Sequence, residues 1–140
     1  MRSVRDDSGT RYLLLKQSGD SSRVRNPETG EECYIENHRL EPVDGESPLV
    51  TAASAVPESV RTVLSAVHDD RSLGLLLDLD ARGPLAIRTL LSAYDLCESD
   101  LHGLLTEFRA AGLVAETRVA GERGYETTET ATDGLSHLRR

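Results

Sequence analysis

From Pro57 onward the apolar residues change their spacing twice, and that change restricts the possible folds more than any other feature of the sequence. Val60, Val63, Leu64 and Val67 recur at i, i+3, i+4 and i+7, which predicts a helix opened by Pro57 and ended at His68-Asp69-Asp70. Ser72 is expected to cap a second helix running to about Arg82, with Leu73, Leu76 and Leu77 inward and Gly83-Pro84 as the stop. A third helix follows with Leu85, Ile87, Leu90 and Leu91, and Tyr94-Asp95-Leu96 makes a turn. The fourth runs from about Glu98 to Ala111, with Leu101, Leu104, Leu105 and Phe108 on one face and Gly112 ending it. Beyond Gly112, residues 113–119 read as a strand, 120–124 as a turn and 125–128 as the returning strand. Thr128 then caps a last helix with Ala131, Leu135 and Leu138 inward.

The first 45 residues follow a different rule. Arg11–Gln17, Ser22–Arg25 and Glu32–Glu36 read as strands, with Cys33 and Ile35 on one face of the third. Asn26-Pro27-Glu28-Thr29-Gly30-Glu31 supplies the turn, and Asn37 to Val43 is expected to return as an irregular strand. So few large apolar side chains make such a unit hard to stabilise alone, so it is expected to pack on a neighbour, a second copy or a partner. Asp44-Gly45-Glu46-Ser47-Pro48 is a linker signal, and residues 49–56 are Ala-rich enough for a short helix opened by Pro48. The expectation is α+β: a small antiparallel β-module over 1–45, a linker or short helix over 46–56, and a mainly helical domain over 57–140.

Composition narrows the partners. The chain has 24 acidic and 16 basic side chains, a net charge of −8, and Lys16 is its only lysine. Acid excess with arginine in place of lysine resembles the proteins of salt-loving archaea, where salt screens the repulsion. Neither half is basic: residues 1–45 carry 7 basic and 9 acidic groups, and residues 46–140 carry 9 and 15. The longest apolar stretches, Leu13–Leu15 and Leu75–Leu77, fall far short of the roughly 20 residues of a membrane span. Without the apolar run of a signal peptide at the N-terminus, a cytoplasmic location is expected. Cys33 and Cys97 lie in different halves, which argues against a disulfide framework. No phosphate-cradling glycine loop and no nucleophile–base pair stands out, and His38, His68, His102 and His137 are scattered; no enzyme activity and no cofactor are expected.

The helical part resembles the winged helix-turn-helix transcription regulators of the ArsR type, with a tail like those of the MarR and PadR families. His68-Asp69-Asp70-Arg71-Ser72-Leu73 falls at that family's helix junction, and Ala81-Arg82-Gly83-Pro84-Leu85 at its Gly-Pro-Leu break. Phe108-Arg109-Ala110-Ala111-Gly112-Leu113-Val114 is similar to the exit from its recognition helix, and Gly121 to Glu129 to its wing. Thr127 stands where the wing strand usually has Leu, Ala131 where the tail usually has Gly, and Cys97 where a capping Ser or Thr is usual.

The resemblance implies a homodimeric regulator that places helix 98–111 in the major groove of double-stranded DNA and the wing 114–128 on the minor groove or backbone. With the leucines and Phe108 inward, Ser99, His102, Gly103, Thr106 and Arg109 point outward. Arg118 and Arg123 on the wing, and Arg88 on the preceding helix, are expected at the backbone or minor groove. The dimer contact is expected from helix 57–69 or the β-module. Glu98 and Asp100 oppose phosphate, although their negative charge suits a helix N-terminus. ArsR-type metal sensors often carry paired cysteines where this chain reads Leu85-Ala86-Ile87-Arg88-Thr89-Leu90, so no metal site is expected. The alternative is a protein-docking winged helix within a transcription or replication complex, meeting its partner through the β-module or the acidic surface.

Overall fold

The computed structural model describes residues 1–139. The chain divides into two compact units, Met1–Val56 and Pro57–Arg140.

The first unit is an antiparallel sheet of five strands: β1 Arg2–Arg5, β2 Arg11–Gln17, β3 Ser21–Arg25, β4 Glu32–Glu36 and β5 Glu41–Pro42, in the order β4-β3-β2-β1-β5. Val4, Leu14, Val24 and Ile35 form a small core on one face, with Tyr12 and Leu40 packed against it. Cys33 shares that face with Ile35 but sits on the edge strand and is exposed. The Asp6 carboxylate accepts from the Ser8 hydroxyl and from the backbone N–H groups of Ser8 and Thr10, closing the β1–β2 turn. Those donors, the Ser8 hydroxyl first, hold the Asp6 carboxyl below the usual range.

The segment 46–56 carries helix α1, Pro48–Ala53, with the Ser47 side chain as its cap and Pro48 at its first position. Thr51 of α1 is buried, accepts from the Ser3 hydroxyl and donates to the Glu46 carboxylate. The expected irregular strand from Asn37 to Val43 forms only in its second half. Asn37–Arg39 is one turn of 3-10 helix, and only Glu41–Pro42 pairs with β1. Asn37 explains the change: its side chain accepts from the Ser22 hydroxyl and donates to the carbonyls of Ser18 and Gly19, which turns the chain at that point. Pro42 then lies on an edge strand, where its missing donor costs little.

The second unit runs α2 Glu58–Ala66, α3 Asp70–Arg82, β6 Leu85–Ala86, α4 Ile87–Ala93, α5 Glu98–Ala110, β7 Val114–Val119, β8 Glu122–Thr127 and α6 Glu129–Leu138. Its sheet order is β6-β8-β7. This is the winged-helix layout, three helices followed by a β-hairpin wing, framed by the outer helices α2 and α6. Phe108, Leu76, Leu79, Leu90, Leu101, Leu113 and Leu135 are fully buried at its centre. Gly112 (φ 78°) ends α5: its N–H donates to the Arg109 carbonyl, and the Leu113 N–H donates to the Phe108 carbonyl at 2.8 Å. That pair of bonds is a Schellman closure, and it carries the chain from Phe108 straight into β7.

Several expectations change in detail. Asp69, not Ser72, is the N-cap of α3; Ser72 is the third helical residue, completing a reciprocal capping box. The inward face of α3 is Leu75, Leu76 and Leu79, with Leu73 and Leu77 only partly buried. Leu85 is not helical but pairs with Tyr125 as the third strand of the wing sheet. Leu64 (59% exposed) and Leu138 (47%) face outward, because α2 and α6 meet through Val60, Val63, Ala131, Gly134 and Leu135. The wing turn is two residues, not five. Ala120 (φ 51°) and Gly121 (φ 83°) both take the left-handed conformation that a tight type I′ hairpin requires.

One departure from the resembled pattern has a local explanation. The Thr127 hydroxyl donates to Asp80 on α3 at 3.0 Å, and the Thr132 hydroxyl on α6 donates to the same oxygen at 2.6 Å. A leucine at 127 would leave Asp80 one donor fewer. Cys97 occupies the N-cap of α5 with no side-chain cap bond, in keeping with a thiol's weakness as an acceptor.

Candidate nucleic-acid interface

The two-residue turn fixes the register of the wing, and the register decides which side chains share a face. Val119 pairs with Glu122, Arg118 with Arg123, Glu116 with Tyr125 and Val114 with Thr127. Side chains alternate along a strand, so Val114, Glu116, Arg118, Arg123 and Tyr125 lie on one side. Val114 and Tyr125 are buried in the same core as Leu101, Leu105 and Phe108 of α5, which turns that side toward α5. Glu122, Gly124 and Glu126 lie on the other side.

Arg109, in the last turn of α5, reaches this face. Its guanidinium donates to Glu116 Oε1 at 3.0 Å. Arg123 donates to the same oxygen at 2.9 Å, and the Tyr125 hydroxyl at 3.4 Å. Arg123 above all, then Arg109, holds the Glu116 carboxyl below the usual range. Arg118 extends along the hairpin and donates to the Gly121 carbonyl at 3.0 Å. Two arginines, Arg109 and Arg123, therefore share one carboxylate where the wing meets α5, and Arg118 pairs with Arg123 across the hairpin.

Arg88 does not join them. It is 85% exposed on α4 and pairs at 3.1 Å with Glu122, on the opposite side of the hairpin. Ser99, His102, Gly103 and Thr106 are all exposed on α5. The Ser99 hydroxyl contacts Cys97 Sγ at 3.3 Å, and the Thr106 hydroxyl is spent on the His102 carbonyl at 2.7 Å. Ser99 and Gly103 also line a depression of about 310 Å³ with Asp69, Arg71, Asp100, Leu104 and Glu107. Glu107 lies 3.1 Å from His68 Nε2. One flank of α5 is therefore acidic and the wing flank basic.

Glu116 was absent from the residues expected at this site. Its partners follow only once Val119 is paired with Glu122; a turn over 120–124 removes Arg123 from the ladder and hides the convergence. Among the described residues, no three His, Cys, Asp or Glu side chains are grouped so as to hold a metal ion, and Cys33 and Cys97 are free and exposed. Among them too, no helix is long and apolar enough to cross a membrane.

Among solved structures, the chain is similar to the transcriptional regulator HlyU from Vibrio vulnificus, with 24% identity and a TM-score of 0.50 over 64% of this chain and 88% of that one. An ArsR family transcriptional regulator matches with 16% identity and a TM-score of 0.45, over 59% and 84% of the two chains. The first likeness is one of fold. No curated protein matches the chain. The model of a family of unknown function, DUF7346, matches residues 1–139, and the chain belongs to that family.

Proposed function

We propose that this protein is a DNA-binding transcriptional regulator that lays α5 in the major groove and the β7–β8 wing on the adjacent backbone or minor groove. The observation that carries this reading is that Arg118 and Arg123 share the wing face turned toward α5, where Arg109 of α5 meets the same carboxylate as Arg123. The fold neighbour HlyU, itself a transcriptional regulator, supports the same class. His102, Gly103 and Thr106 present small or hydrogen-bonding groups to base edges, while the arginines set the register on phosphates.

The net charge of −8 does not oppose this at high salt. At molar ionic strength the Debye length is about 3 Å, so distant carboxylates are screened and contacts made within hydrogen-bond range remain. The acid-rich, lysine-poor composition supports a haloarchaeal setting of that kind. A homodimer is the natural form for such a reader, since two-fold half-sites require two copies of α5. Exposed Leu64 and Leu138, on α2 and α6, supply apolar surface for it. The β-module over 1–45 would take a protein partner.

The second reading, a protein-docking winged helix, draws on the acidic depression of Asp69, Asp100 and Glu107 beside α5. One experiment separates the two. Binding of the full chain to its own promoter is expected to survive at molar salt, and His102→Ala with Arg123→Ala is expected to abolish it. Binding unchanged in that double variant would remove α5 and the wing from the interface.

A further inference from the structure

Resting on the DNA reading, we propose that Arg109 and Arg123 form the seat of one backbone phosphate of duplex nucleic acid, which Glu116 fills in the free protein. Three donors from three positions converge on one oxygen: Arg109 from α5 at 3.0 Å, Arg123 from the wing at 2.9 Å and the Tyr125 hydroxyl at 3.4 Å. A carboxylate oxygen has two lone-pair sites, so the cluster offers more donors than that oxygen can take. A phosphate offers the same two guanidinium groups one non-bridging oxygen each and carries its charge into the space that Glu116 leaves.

Charge points the same way. Arg109 and Arg123 share a single carboxylate, so one cation remains uncompensated with Glu116 in place, and Arg118 stands beside Arg123 across the hairpin. The side chains are open to the ligand: Arg109 is 57% exposed, Arg123 61% and Glu116 40%. A phosphate can displace Glu116 toward solvent without moving the backbone. The location also fits, because a groove-bound helix and its wing straddle the phosphate backbone that bounds the groove. Glu116 then acts against loose association: the arginines leave it only for an anion that satisfies both at once.

Glu32, in the first unit, provides an internal control. It too lies between two arginines, Arg23 at 2.6 Å and Arg25 at 3.0 Å, within one sheet. Anisotropy titrations of the full chain with a promoter duplex, through a salt series, compare the wild type with Glu116→Gln and Glu32→Gln. Glutamine keeps an acceptor oxygen, and melting curves check that each variant folds. Glu116→Gln is expected to bind on the order of tenfold more tightly, with the slope of log K against log salt steeper by about 0.9, because no displaced carboxylate is left to take up a cation beside the seated phosphate. Glu32→Gln, with the same change in net charge, is expected to match the wild type, and adding Arg123→Gln to Glu116→Gln is expected to erase the gain.

If the wild type binds and Glu116→Gln binds equally or more weakly with the same slope, the seat is wrong while the DNA reading stands. If Glu32→Gln gains as much, the effect is net charge and the seat is again wrong. If no variant binds any duplex, both fall together. Inorganic phosphate titrated into Glu116→Gln alone is expected to give no saturable binding; saturation without DNA would assign the seat to free phosphate and overturn the backbone assignment.

Discussion

Replacing Gly134 by alanine is expected to destabilise the unit 57–140 by about 2 kcal/mol, although helix propensity alone favours alanine by about 1 kcal/mol. The reversal comes from the crossing of α2 and α6. A Cβ on Gly134 would lie 2.5 Å from the Ser59 carbonyl oxygen and 2.8 Å from Val63 Cγ2. The Ser59 oxygen belongs to the main chain of α2 and has no rotamer by which to yield. The helices must separate instead, thinning the contacts of Val63, Ala131 and Leu135, all buried at that crossing. The Ser59 hydroxyl, donating to Asp133 at 2.5 Å, is strained by the same movement. For a unit of this size the loss corresponds to a fall in Tm on the order of 10 °C. A thermal melt decides it: an unchanged or higher Tm would show that the crossing has slack and that the close approach is not what holds α6.

Gly124→Val is expected to cost about 2 kcal/mol and to remove DNA binding beyond what unfolding explains. Valine suits a strand, by up to about 1 kcal/mol on an open site. Here the added Cβ would meet the Leu85 carbonyl oxygen at 2.5 Å and Val119 Cγ2 at 3.0 Å. β8 is the middle strand of the wing sheet, so the clash is relieved by releasing β6 or by tilting the hairpin. Tilting moves Arg118 and Arg123 away from Arg109. Melting curves with binding titrations below the transition check both effects, and a variant that melts lower but binds normally would mean that wing orientation carries no affinity.

The helices were legible because each has an apolar stripe and a stop that the sequence displays, such as Gly83-Pro84 after α3 and Gly112 after α5. What escaped the sequence depends on pairing across distance. Leu85 comes just before the helical set Ile87, Leu90 and Leu91, and its backbone is drawn into the wing sheet beside Tyr125. Leu64 and Leu138 fit the apolar stripes of their helices and still face outward, since α2 and α6 bury only narrow faces on each other. β1 has four residues and one large apolar side chain, too little pattern to declare a strand, although β2 and β5 both pair with it. The outward residues of α5 followed directly from the burial of Leu101, Leu105 and Phe108. Glu116 did not: an acid in a strand carries no signal of its own until a left-handed alanine closes the turn in two residues.

Genome-wide immunoprecipitation of the full chain in its native host, beside an Arg109→Ala/Arg123→Ala variant, tests DNA recognition by α5 and the wing most directly. Such recognition predicts discrete enriched loci sharing a short two-fold-related sequence, and their loss in the variant with the protein level unchanged. Loci that persist in the variant, or wild-type enrichment no greater than background, would contradict it.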